Sequence, residues 1–323
     1  MLRLSERIGL RLDALMKVTD GVKAGARLVT GGDDPRSTNQ TLEDTFSTKG
    51  IQLDRAYVSY SPYSASTLLL GKFGDPLYSA HDLLWDSDLS FEGGAAQYEI
   101  NAGENMGFFL NAGFFILDEY TKESDPMMYA IQPGMAWHIT EKADFNLGVS
   151  YYKFSRIKGR TLNHSAGTNS LMDISPDPNE PNEVLKYDYN SWGVDAELTL
   201  NNIFMLPQIV LVGEYVKNTD SDIGSDDEGF LAGIKIGAPK IKAPGQWQAF
   251  YNYRRLEKDS FLDVFPDSDF YSDKTGVKGY EVILQYGLKQ NVILGLDYYE
   301  TRPITGSDGS IQNLLQVDLL FKF

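Results

Sequence analysis

The chain closes on NLLQVDLLFKF, residues 313–323, with Leu315, Val317, Leu319, Phe321 and Phe323 on one parity and Gln316, Asp318 and Lys322 on the other; Leu320 is the single exception. A two-residue period is that of a β-strand, whose successive side chains point to opposite faces. The same alternation opens the chain, where Leu2, Leu4, Ile8, Leu10, Leu12, Ala14, Met16 and Val18 share one face. It recurs at Phe108, Leu110, Ala112, Phe114 and Ile116, at Phe145, Leu147, Val149 and Tyr151, and at Trp192, Val194, Ala196, Leu198 and Leu200. Later runs are Tyr280, Val282, Leu284, Tyr286 and Val292, Leu294, Leu296, Tyr298. Each run is about ten residues, the length at which a tilted strand crosses a bilayer.

The opposite parity decides which solvent the apolar face meets. It stays polar at Gln97, Glu99 and Asn101, at Asp195, Glu197 and Thr199, at Gln248, Asn252 and Arg254, and at Glu281 and Gln285. A soluble sandwich or propeller would bury apolar side chains on the central strands, whereas a membrane barrel turns its apolar face to lipid and keeps a wet interior. The apolar runs also finish in aromatics such as Tyr151, Trp192, Trp247, Tyr280 and Tyr298, as interfacial girdles require. Mean hydropathy is −0.29 and no run of about eighteen apolar residues occurs, which rules out a transmembrane helix but not a barrel.

Connections alternate in length. Short ones fall at residue 19 (TDG), 61 (SPYSA), 103 (GEN), 140 (TEKAD) and 289 (KQN). Long polar ones fall at about 31–50, 75–92, 118–126, 155–186, 218–228, 257–276 and 302–311, and two intermediate ones at 201–207 and 238–245 are assigned to the short side. Short turns at one end and long loops at the other are the pattern of outer-membrane barrels. The expected fold is therefore all-β, a single transmembrane antiparallel barrel over 1–323 with about fifteen visible strands. An odd count makes the first and last strands run parallel. One further strand before Met1, making sixteen, would restore the even number of bacterial barrels, and an earlier start would also account for the lack of a visible signal peptide.

Composition limits the chemistry. Cysteine is absent and only His81, His138 and His164 supply imidazole, so thiolate sites are excluded and no metal or cofactor is expected. Acidic residues outnumber basic ones 45 to 29, for a net charge of −16, which argues against a nucleic-acid partner. The acidic stretch NTDSDIGSDDEG at 218–229 lacks the glycine and terminal glutamate placement of an EF-hand loop. No GxSxG motif accompanies His138, so an enzyme is not expected.

Several stretches, GARLVTGGDDPRSTNQTLEDTF (25–46), LDRAYVSYSP (53–62), LLLGKFGDPLY (68–78), LLWDSDLSFEGGA (83–95) and the terminal LLFKF, resemble the bacterial putative porins, relatives of the general diffusion porins. The likeness covers most of residues 3–100 and is one of pattern beyond. It implies a passive water-filled pore of the bacterial outer membrane, a homotrimer in a lipid and lipopolysaccharide environment, with Phe323 as the end recognised by the barrel-assembly machinery.

Within such a pore, Arg3, Arg7, Arg11, Lys17, Lys23 and Arg27 fall on the inward parity of the first two strands and would form a basic wall. A three-residue TDG turn with Gly21 at positive φ keeps Lys23 and Arg27 inward and sets Arg27 opposite Asp13. By analogy with sixteen-stranded porins, the 75–92 connection would fold inward as the constriction, carrying Asp75, Asp82, Asp86, Asp88 and Glu92 with Leu83, Leu84 and Trp85 packed on the wall. Opposed charges across a narrow pore create a transverse field. Two alternatives remain open: a substrate-selective channel of the anion or phosphate type using the arginines as a ladder, and a structural or adhesion barrel plugged by its 155–186 loop.

Overall fold

The computed structural model describes residues 4–121, 124–272, 274–305 and 310–323; Arg3 lies outside them. In chain order the strands are β1 (Arg7–Gly9), β2 (Arg11–Thr19), β3 (Val22–Thr30), β4 (Asn39–Thr41), β5 (Ile51–Tyr60), β6 (Ser66–Gly74) and β7 (Ser90–Asn101). There follow β8 (Met106–Ile116), β9 (Met127–Thr140), β10 (Ala143–Ser155), β11 (Leu171–Asp173), β12 (Glu183–Leu185) and β13 (Asn190–Ile203). The remainder are β14 (Leu206–Asn218), β15 (Glu228–Gly237), β16 (Trp247–Leu256), β17 (Val277–Lys289), β18 (Val292–Pro303) and β19 (Gln312–Phe321).

Fifteen of these form one sheet in the order β19-β18-β17-β16-β15-β14-β13-β10-β9-β8-β7-β6-β5-β3-β2. Each is paired antiparallel with its neighbour, and the four short strands form two ribbons, β1 with β4 and β11 with β12. Sequential pairing makes tight turns alternate with long connections, as the sequence predicts. The β13–β14 connection closes as a two-residue turn of Phe204 and Met205, both at positive φ (51° and 67°). Because fourteen antiparallel steps separate them, the edge strands β2 and β19 run in the same direction. Among the described residues they are not paired with each other, and β2 is exposed along its whole length.

Burial is inverted relative to a water-soluble protein. Leu70 is 65% exposed and Ile100 52%, whereas Gln132 and Asn252 are 0% exposed and Glu281 1%. The outward parity is the apolar one, and the inward polar residues are covered by what lies inside the sheet. The main apolar cluster is itself interior, joining Phe73, Phe91 and Phe115 of the wall to Leu83, Trp85, Phe261 and Leu262 of connecting loops.

Two details of the first hairpin differ from the sequence expectation. The single strand expected from Leu2 to Val18 breaks at Leu10, whose N–H donates to Thr30 Oγ1 while its carbonyl accepts from Thr30 N–H. Arg7 is thereby carried into the β1–β4 ribbon, opposite Thr41 and beyond the end of the sheet. The turn is also shorter than expected, with Thr19 paired to Val22, but a bulge between Lys17 and Thr19 restores the parity. Gly21 has φ +74°, Lys17 faces Lys23, and Asp13 faces Arg27. Inserting one unpaired residue into a strand reverses the face of everything beyond it, so the bulge achieves what a third turn residue would have done.

The inversion generates a test. Leu110, central in β8 and 42% exposed on the outward face, would meet hydrocarbon in a membrane barrel. Leu110→Arg should lower the unfolding free energy in lipid vesicles by about 2–4 kcal/mol, measured by denaturant titration. An unchanged midpoint would place that face in water.

Candidate functional site

The connection from β6 to β7, residues 75–89, runs across the inside of the sheet. Asp75 shapes its start by accepting from Leu77 N–H and Ser79 Oγ, at 2.8 and 3.0 Å. Tyr78 then exchanges two 2.7 Å hydrogen bonds with the side-chain amide of Gln132 on β9, and Gly148 on β10 leaves room for its ring. Further along, Ala80 N–H donates to Asp195 on β13, and the N–H groups of His81 and Leu83 both donate to the Glu214 carboxylate on β14. Asp82 ion-pairs with Arg254 on β16 at 3.0 Å. Asp88 completes the crossing at β2, where it lies 2.8 Å from Arg11 and accepts from Thr38 N–H and Oγ1. Buried donors of an irregular segment need acceptors, and the wall supplies them as inward carboxylates and amides.

Two further connections share the interior. Residues 257–276 carry Phe261 and Leu262, both fully buried, with Phe265 beside them. Trp85 sits at the centre of this group, with ring centroids 5.1 Å from Phe261, 4.9 Å from Phe265 and 4.9 Å from Phe91. Asp86 joins the two loops, donating its N–H to Phe265 O and accepting from Ser268 N–H. The 156–189 connection packs alongside, where the Asn169 amide donates to Lys258 O and Phe261 O and accepts from Asp263 N–H. Arg36, 3% exposed in the 31–50 connection, donates to Asp263 O and His164 O and so reaches both of these loops. Sequence reasoning brought the first loop inward and left an inward 155–186 loop open as an alternative, but did not place the 257–276 loop inside. The run FLDVF at 261–265 was the available signal, since four apolar residues in five are out of place in a solvated loop.

A cavity of about 580 Å³ lies between these loops and the wall formed by β2, β5 and β17–β19. Among the described residues nine carboxylates line it, against three guanidiniums: Arg11, Arg36 and Arg55. The expected basic wall is therefore divided. Arg11 lines the cavity but is paired with Asp88. Arg27 is held by Asp13 at 2.7 Å and lies 3.8 Å from Asp54. Lys23 is exposed opposite Lys17, which pairs with Asp20. Of the loop residues, Asp75, Asp82, Trp85, Asp86 and Asp88 all border the cavity. Phe323 follows β19 and is 98% exposed.

Burial sets the charge state of the loop. Asp86 is pushed up to about 6 by burial, against the N–H groups of Asp88 and Ser268 that favour its ionised form. Asp82 is pushed up to about 7 by burial, with Arg254 pulling it down and Glu281 and Glu214 pushing it further up. His81 is driven down to about 4 by burial and then by Arg254, so its imidazole is neutral at physiological pH. His81, Asp82 and Glu281 place ligand atoms within 4.8 Å of one another. A guanidinium already stands on both carboxylates of that trio, which fills the place of a cation.

The family model described as Putative porin matches residues 2–186 and 182–323. No curated protein matches the sequence. Wzi of Escherichia coli, an outer-membrane protein involved in group 1 capsule assembly and a carbohydrate-binding β-barrel, is similar in fold, with a TM-score of 0.54 and 10% identity over 97% of this chain and 69% of its own. A loop L8 deletion mutant of OmpT from Vibrio cholerae gives 0.51 and 13% over 98% and 89%. The channel DcaP of Acinetobacter baumannii gives 0.47 and 13% over 96% and 83%. At such identities the likeness is one of fold alone, and family and fold point to a channel rather than an enzyme. The chain belongs to the Putative porin family, and it is a passive channel of the bacterial outer membrane.

Proposed function

We propose that ions and small hydrophilic solutes cross through the cavity between the 75–89 loop and the β17–β19 wall, and that this constriction prefers cations. The observation that carries the reading is the lining of nine carboxylates against three guanidiniums, an excess of acid that remains after Asp88 is paired with Arg11 and Asp82, Asp267 and Glu281 with the buried Arg254. A passage bounded by low-dielectric walls and one sign of charge concentrates the opposite ion. The arginine ladder of an anion channel is the weaker alternative, because Arg11 and Arg27 are each held by a carboxylate. The plugged-barrel reading draws support from the interior packing of the 156–189 connection around Ile157, Leu185 and Tyr189, and the measurement of conductance separates it from an open pore.

Three assignments complete the proposal. The outward apolar face is read as meeting outer-membrane lipid and lipopolysaccharide, exposed Phe323 as the signal for barrel assembly, and the functional unit as a homotrimer. The whole described chain is read as one barrel domain.

Asp269 of the 257–276 loop and Asp318 of β19 border the cavity from different elements. A unit charge about 10 Å from a permeating ion is worth roughly 0.4–1.7 kcal/mol between aqueous and protein-like dielectric. Asp269→Asn with Asp318→Asn should therefore reduce the cation-to-anion permeability ratio at least about twofold, and Arg11→Gln should raise it, both read as reversal potentials across a salt gradient. No shift in either direction would remove these groups from the conducting path, and no conductance at all would favour the plug.

Acidification supplies an independent test. Asp82 and Asp86 are ionised above about 7 and about 6 and neutral below. Lowering pH from about 8 to about 5 takes both through their titrations, so cation preference should fall. A preference that held constant or rose over that range would contradict the assignment.

A further inference from the structure

We propose that Arg254 is a positioning residue of the pore, which sets the width of the constriction by fastening two inward loops and the wall to one guanidinium. The inference rests on the reading that the cavity beside those loops is the conducting path. Arg254 stands on the inward parity of β16 and is 2% exposed. Its Nη1 lies 3.0 Å from Asp82 of the 75–89 loop and 3.2 Å from Asp267 of the 257–276 loop. Nη2 donates to Glu281 of β17, Nε donates to Asn252 Oδ1 at 3.2 Å, and the guanidinium carbon lies 4.6 Å from the centroid of the Phe270 ring.

Removing this cation has a directional consequence. Asp82, Asp267 and Glu281 would be left as buried carboxyls without a cation, and in a low-dielectric interior the ionised form of such a group is strongly disfavoured unless it reaches water. Glu281 is fixed in a strand, whereas the two loop carboxyls can regain hydration by moving into the cavity. The first loop keeps its other fastenings at Gln132, Glu214 and Arg11, so it loosens near Asp82 without leaving the lumen. Lysine cannot replace the arginine fully, since a single ammonium lacks the planar fork that reaches three carboxylates from one position.

The test uses the full chain reconstituted in planar bilayers. It is run at high salt, where exposed charge is screened and conductance reports width more than selectivity. Arg254→Met should lower single-channel conductance by roughly twofold and add open-channel noise, and Arg254→Lys should fall between that variant and the parent. Should Arg254→Met not fold, Asp82→Asn and Asp267→Asn each untie one loop with the guanidinium retained, and each should give a smaller fall. Unchanged conductance and noise in a folded Arg254→Met barrel, or in both asparagine variants, overturns the proposal. So does a loss of thermal stability with no electrical change, which would make Arg254 a purely structural group. Its failure is distinguishable from failure of the cation reading. A change in conductance here with no effect of the Asp269 and Asp318 substitutions on reversal potential would keep the clamp and discard the cation preference.

Discussion

In hydrocarbon an unpaired backbone amide or carbonyl costs several kcal/mol, because no water is present to receive it. That cost shapes the rest of this molecule. It forces the spanning segments into one continuous antiparallel ladder, and the ladder, having a period of two, must put every second side chain inside. The alternation of Phe108, Leu110 and Phe114 with Asn111 and its neighbours is thus a single decision taken at the backbone. Once made, it supplies an interior already furnished with Gln132, Asp195, Glu214, Asn252 and Glu281, all nearly inaccessible.

Those interior groups do a second task. Loops entering a lumen bring their own unpaired N–H groups, and the wall carboxylates and amides are the acceptors that let them stay. Glu214 takes two of them, and Gln132 is satisfied on every side by Tyr78, Asn111 and Ser150. The outcome is a lumen divided between an aromatic filling around Trp85 and an acidic water-lined remainder. The filling is apolar and immobile by packing, whereas the remainder is polar and narrow, and a passive channel with a defined bore needs both.

The wall was legible in the sequence because its signal is repeated in every strand: parity, run length and alternating connections each recur many times. Asp13 opposite Arg27 was legible for the same reason, although its cause, a bulge after a two-residue turn, was not, since two local geometries give one parity. The inward path of 75–89 came through family resemblance. Its particular partners, Glu214 and Arg254, were visible only as inward polar residues among many, because pairing across a barrel leaves no spacing in the sequence. Arg7 was misplaced on the wall since nothing in the alternation marks the break at Leu10, which depends on the Thr30 hydroxyl. The basic residues looked like a ladder when counted along one hairpin. The neutralisation of Arg11 by Asp88, and the acids that two inward loops and β17–β19 bring together at the cavity, belong to contacts far apart in the chain.

The anchors of the 75–89 loop also imply an order of assembly. Its downstream partners on the wall lie on β9, β13, β14 and β16, as far as 172 residues away in the case of Asp82 and Arg254. Contacts of such separation form late, after the intervening chain has closed its own hairpins. The loop therefore has no native course to follow while the C-terminal half of the sheet is absent. The lumen begins as a wide, unobstructed vestibule, and the bore is cut down to size as the final event of folding.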